Sequence, residues 1–146
     1  MNKLLLFIHL IGAIVWMGGM SLVLLALRPA ALRVLEPPLR QQLMLQVLRG
    51  FFPLVWLSIA LLLGSGAAAL GAAGATAPVG WVAMGAIGVV MIAVFAVIAF
   101  GPMARARRAA RDADWAVVGA ALQRVHRLVQ LNFALGWLAV AWVVLG

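Results

Sequence analysis

The chain has 146 residues and a formal net charge of +8, with 67% apolar and 10% charged residues. A soluble domain carries about 25% charged residues, so this composition excludes one and points to the bilayer. There is no cysteine and no tyrosine, which removes disulfides, thiolate metal centres, thiol catalysis and phenolic proton or radical chemistry.

A membrane-spanning helix needs about 20 apolar residues, so four spans use nearly the whole chain as one transmembrane domain, residues 1–146. The first span is expected over 4–27, closed by Arg28-Pro29 because proline cannot continue the hydrogen-bond ladder. Its apolar run exceeds the roughly 7–15 residues of a signal-peptide core, so a membrane span is expected here and not a cleaved leader. A polar connection follows, with Arg33, Glu36 and the turn pair Pro37-Pro38. Residues 39–49, with Arg40, Gln41, Gln42, Gln46 and Arg49 as polar positions, read as a short amphipathic helix on the membrane surface.

The second span is expected over 51–70, with Pro53 in its first turn, where a missing N–H costs little. An uncharged Ala/Gly-rich stretch from Gly64 to Ala77 ends it. The third span covers 80–100, with Trp81 at the interface, and Gly101-Pro102 closes it. A basic connection then carries Arg105, Arg107, Arg108 and Arg111. Asp112 or Asp114 caps a last helix that runs from Trp115 to Leu145, with its membrane part over 125–145. The fold class is therefore all-α: a polytopic four-helix membrane bundle with a short cytoplasmic amphipathic helix between spans 1 and 2.

Arginines crowd the 1–2 and 3–4 connections and are missing from the 2–3 connection. The positive-inside rule puts both basic connections in the cytoplasm and both termini outside, in a bacterial inner membrane. The positive charge thus follows topology, and nucleic acid is excluded as a partner because no folded polar surface carries it. The lipid bilayer is the expected environment.

His9 is the ionisable residue placed well inside a span, and such residues are functional-site hypotheses by default. His9, Gly12, Trp16 and Gly19 recur on one helical face. In the functional reading, the glycines leave a flat groove beside an imidazole, suited to a porphyrin edge with Trp16 packed on the ring. In the structural reading, they let a neighbouring helix approach and His9 bonds across to it. A methionine set offers a rival site. Met84 and Met91 share a face of the third span, Met17 and Met20 lie on the first, and thioether with imidazole selects Cu(I). In that version His9 and Met84 are ligands, with Met20 and Met91 supporting. At about 1.5 Å per residue, His9 lies roughly 9 Å outside the midplane and His126 roughly 15 Å inside it, so one haem cannot take both. His126 is expected at the interface, and Asn132 is expected to bond another helix. All three carboxylates, Glu36, Asp112 and Asp114, fall in connections. This excludes paired-carboxylate hydrolysis and disfavours a proton-coupled transporter, which keeps an acid within the bilayer.

The stretch His9-Leu-Ile-Gly-Ala-Ile-Val-Trp16-Met-Gly18-Gly19-Met20, continuing to Leu27-Arg28-Pro29, resembles the first span of the CopD-like family of small bacterial integral membrane proteins. Leu35-Glu36-Pro37-Pro38 with Arg40 and Arg49-Gly-Phe51-Phe52 is similar to its next segment. Asp114-Trp115 and Arg124-Val-His126-Arg127 through Asn132 to Gly136 are similar to its last. The resemblance implies copper handling, with a second copy of the chain or a periplasmic metal-handling protein as partner. A more distant resemblance, to HemJ-type haem-binding membrane oxidases, implies haem b on His9. The lysine those proteins carry after a late-span tryptophan is replaced here by Val82-Ala83-Met84-Gly85 after Trp81, a departure that counts against the oxidase chemistry and leaves haem binding in place. Copper, haem b, a haem-dependent membrane oxidoreductase acting on a porphyrinogen or quinol, and a cofactor-free accessory role all remain open on the residues alone.

Overall fold

The structure, a computed structural model, describes residues 2–145. Helix α1 (Lys3–Leu22) passes through a π-helical segment (Val23–Leu27) into α2 (Arg28–Val34). Helix α3 spans Leu39–Ala73 and ends in a 3₁₀ turn, Gly74–Thr76. Helix α4 (Val79–Phe100) bends at Gly101 into α5 (Pro102–Arg111), and α6 runs over Trp115–Leu145. Four helical stretches are thus long and apolar enough to cross a membrane, the architecture of a multi-pass four-helix bundle. Among the described residues there is no strand.

Three local outcomes differ from what proline and polarity suggest. Pro29 does not close the first helix, which continues to Val34. A proline ring clashes with the carbonyl four residues back. Here the Arg28 N–H bonds Val23 O, five residues back, and the widened turn accommodates the ring. Likewise, residues 39–49 are helical but continuous with the second span, so the amphipathic segment forms the first turns of α3 and Pro53 lies in that helix's interior. The arginines at 105–111 belong to a helix, with Met103, Ala106 and Ala109 buried against α6.

Two tight turns have clear causes. Gly74 ends α3 at φ 54°, a region that glycine enters without steric cost. Between α5 and α6, Ala113 sits at φ 53°, while the Asp114 N–H bonds Ala109 O at 2.9 Å and the Ala113 N–H bonds Ala110 O. This is the Schellman arrangement, with alanine in the position that usually holds glycine. Asp114 Oδ1 accepts from the Val117 N–H and caps α6.

Helix α1 packs chiefly on α3, and α4 chiefly on α6. Both pairs are antiparallel: Gly12 meets Ser58 and Leu62 while Gly19 meets Phe51, and Gly80 meets Val143 while Met91 meets Gly136. The pairs join around Phe95 of α4. Its ring takes edge contacts from Trp16 of α1 and from Phe52 and Trp56 of α3, at centroid distances of 6.2, 5.0 and 5.1 Å. Such tilted contacts align ring edges with ring faces. Outside this core the surface is apolar, with Phe7, Ile14, Leu25, Val89 and Trp137 all exposed. A contiguous surface of this kind in a soluble monomer would drive association, whereas in a bilayer it contacts lipid.

Candidate functional site

His9 stands two turns into α1, half-buried against α3. Its Nδ1 lies 2.9 Å from Ser65 Oγ. Ser65 is buried, and its hydroxyl donates to Leu61 O at 2.6 Å. A serine hydroxyl has one hydrogen. With that hydrogen committed to the carbonyl, Oγ accepts from His9, so Nδ1 carries the imidazole proton. In the neutral ring Nε2 then keeps its lone pair. A partner on one ring nitrogen fixing the tautomer and freeing the other is the usual arrangement around a ligating histidine.

The rest of the α1 face does another job. A Cβ on Gly12 would stand 3.0 Å from Ser58 O and 3.0 Å from Leu62 Cγ, and one on Gly19 would fall within the Phe51 ring. Trp16 is buried and packs on Phe95. The groove expected beside His9 is therefore filled by α3. Small residues at a membrane helix interface commonly serve this close approach.

The methionines separate as well. Met20 is eleven residues from His9 on the same helix, about 16 Å along its axis, so the two cannot ligate one ion. Met20 is buried beside Phe52 and Asn132. Met91 reaches Gly136, where Met17 also ends. The thioethers of α1 and α4 thus fill the space left by that glycine, and Met17 rather than Met20 meets Met91. Met84, half-buried, lies five residues into α4. That is about the depth of His9 from the same end of the bundle. Helix α3 passes between them, with Gly66 facing the His9 ring and Leu70 facing Gly85. Among the described residues, no three His, Asp or Glu side chains gather to hold a metal.

No family model, curated protein or solved structure matches the chain.

His126 lies at the other end of the bundle. It lines a cavity of ≈ 160 Å³ with Arg28, Arg40, Gln41 and Gln123. Gln41 and Ser65 are 24 positions apart on α3, about 36 Å along the helix, so the two histidines belong to opposite ends. Asn132 is buried, but its Oδ1 has no hydrogen-bond partner. The interhelical bond expected of that atom is not formed; it borders a small void of ≈ 10 Å³ among Trp16, Met20 and Phe95.

Sequence reading missed Ser65, which sits in a stretch that reads as a span ending in Ala and Gly. Its one signal was a hydroxyl in an apolar run at the depth of His9. The contact of Met17 with Gly136 and the meeting of Gln41 with Arg28 at one cavity carried no signal, because both exist only between helices.

Proposed function

We propose that this chain is a multi-pass protein of a bacterial cytoplasmic membrane that handles copper through His9 Nε2. The observation that carries this reading is the Ser65 bond to Nδ1. In the neutral imidazole it leaves Nε2 as the free nitrogen, in the form that ligates a soft or borderline metal. The site is at the end of the bundle whose connection, residues 74–78, has no charge, and arginine clusters mark the opposite end. The positive-inside rule makes the His9 end the outer one, with both termini outside. The resemblance to CopD-like proteins favours the same cargo.

The donor set suits a soft ion better than a haem. A porphyrin needs a slot, and one turn from His9 the face of α1 is closed at Gly12 by Ser58 and Leu62. An ion needs only donors. His9 is the principal one; Met84, at matching depth, stands across α3 from it and is not in its donor set. The remaining donors come from a second copy or from a metal-handling protein outside the membrane. Bound copper supplies a redox-active soft cation; the chain supplies the imidazole, fixes its tautomer through Ser65, and surrounds it with lipid-facing apolar walls.

The test is Cu(I) titration of detergent-purified protein against a competing chelator. Wild type should retain copper, His9→Ala should lose it, and His126→Ala should match wild type. Equal retention by His9→Ala refutes the proposal. A Soret band that disappears in His9→Ala would move the assignment to haem, and a colourless protein without metal affinity would leave His9 as an interhelical bond in an accessory protein.

A further inference from the structure

The cavity at the arginine-rich end is unlike the rest of the bundle. It lies where the π segment and α2, the first turns of α3 and the first half of α6 meet. Arg28, Arg40 and His126 border it, and neither Glu36, Asp112 nor Asp114 does. Two guanidiniums held at one partly apolar cavity repel each other, and an anion between them relieves that repulsion. Guanidinium forks match the oxygens of a phosphate better than any other side chain.

The neighbouring side chains narrow the ligand further. Gln41 Oε1 is buried with no hydrogen-bond partner. Its amide nitrogen is set against Gly119, where a Cβ would stand only 2.7 Å from Nε2, so the carboxamide occupies space that only glycine leaves. An orphan acceptor beside two cations calls for an anion that also carries a hydroxyl. Deeper walls are apolar, formed by Leu24, Leu48, Val125 and Val129, and can take a hydrocarbon chain. The π turn matters here: one additional residue in that turn rotates everything beyond it by about 100°, and Arg28 is the first residue after it.

We infer that this cavity binds a phosphate-bearing anion with a hydroxylated head, and specifically the glycerophosphate head of an anionic phospholipid. Arg28 and Arg40 hold the phosphate, Gln41 Oε1 accepts from the glycerol hydroxyl, and an acyl chain follows the apolar wall. Nothing in this assignment depends on His9 or on copper.

The experiment uses the full chain in nanodiscs of phosphatidylcholine containing a minor fraction of phosphatidylglycerol, with bound lipid read by native mass spectrometry after release. Wild type should retain phosphatidylglycerol over phosphatidylcholine by about tenfold beyond the bulk ratio, the size expected of one charge-assisted contact pair. Arg28→Gln and Arg40→Gln should each lower that enrichment several-fold, and the double variant should abolish it. Arg105→Gln and Arg108→Gln, exposed on α5 and outside the cavity, should leave it unchanged. Leu122→Trp keeps every charge but fills the cavity, and should also abolish it. Far-UV circular dichroism and monodisperse elution confirm that each variant folds. A parallel arm adds soluble glycerol 3-phosphate. Saturable binding there that needs Arg28 and Arg40, without lipid enrichment, keeps the anion site and assigns it a soluble ligand. Enrichment that persists in the double variant or in Leu122→Trp, or that falls equally in Arg105→Gln, overturns the inference.

Discussion

Replacing Gly12 by valine tests the seam on which the His9 geometry depends. A Cβ at this position would lie 3.0 Å from the Ser58 carbonyl oxygen, 3.0 Å from Leu62 Cγ and 3.3 Å from Leu61 Cβ. Comfortable contacts lie at about 3.5–4.0 Å, so the first carbon alone is short by roughly half an ångström, and the valine methyls reach further. Ser58 O is backbone and cannot rotate aside, so α1 must retreat from α3. Overpacking of this kind costs about 1–3 kcal/mol. The retreat also stretches the 2.9 Å His9–Ser65 contact one turn away, a class of bond that averages about 0.6 kcal/mol in membrane bundles. Removing a helical glycine returns a few tenths of a kcal/mol, roughly, in propensity. The net expectation is a loss of about 1–3 kcal/mol. Gly18→Val is the control, because nothing lies within 4 Å of a Cβ there. Reversible unfolding in mixed micelles, followed by tryptophan fluorescence and circular dichroism, measures both. If Gly12→Val unfolds within about 0.5 kcal/mol of Gly18→Val, an ordinary surface difference, then close approach does not hold this seam and the reasoning fails.

Gly19→Ala should destabilise through the Phe51 ring by about 1–2 kcal/mol, and Phe51→Leu in the same chain should recover most of it; a double-mutant cycle with no coupling would show that the ring moves freely. Ala113→Gly should stabilise by about 1 kcal/mol, since the left-handed conformation at φ 53° penalises a Cβ, and unchanged denaturation would contradict the turn geometry. Ser65→Ala removes the acceptor that fixes the His9 tautomer, so Cu(I) affinity should fall by about tenfold or more, as for other outer-shell partners, with His9→Ala losing more; an unchanged titration would count against the tautomer argument. Pro29→Ala removes the ring that the π turn accommodates and should rotate Arg28 away from the cavity, lowering phosphatidylglycerol enrichment in the nanodisc measurement. Enrichment equal to wild type would mean that the turn persists without the proline.

Residues one to four apart set what the sequence revealed, and contacts between helices set the rest. Apolar runs marked four long helices, because a chain in lipid must satisfy its backbone bonds within each segment. Gly101-Pro102 and the Ala/Gly-rich stretch from Gly64 to Ala77 marked breaks for local reasons. Prolines misled: Pro29 read as the close of a span and Pro53 as the first turn of one, yet both lie within continuous helices, and at Pro29 a widened turn accommodates the ring. His9 stood out as a polar group in an apolar run, but its partner Ser65 is 56 positions away, and no spacing rule links them. The face of His9, Gly12, Trp16 and Gly19 was legible as a face. Whether it formed a groove or a seam depended on what filled it, and Leu62 and Phe51 of α3 decide for the seam. Helical periodicity determines which residues share a side of one helix, since that follows from rise and rotation alone. Only tertiary packing determines what faces that side, so the meeting of Met17 with Met91 at Gly136 and the gathering of Arg28, Arg40 and His126 at one cavity belong to the assembled bundle.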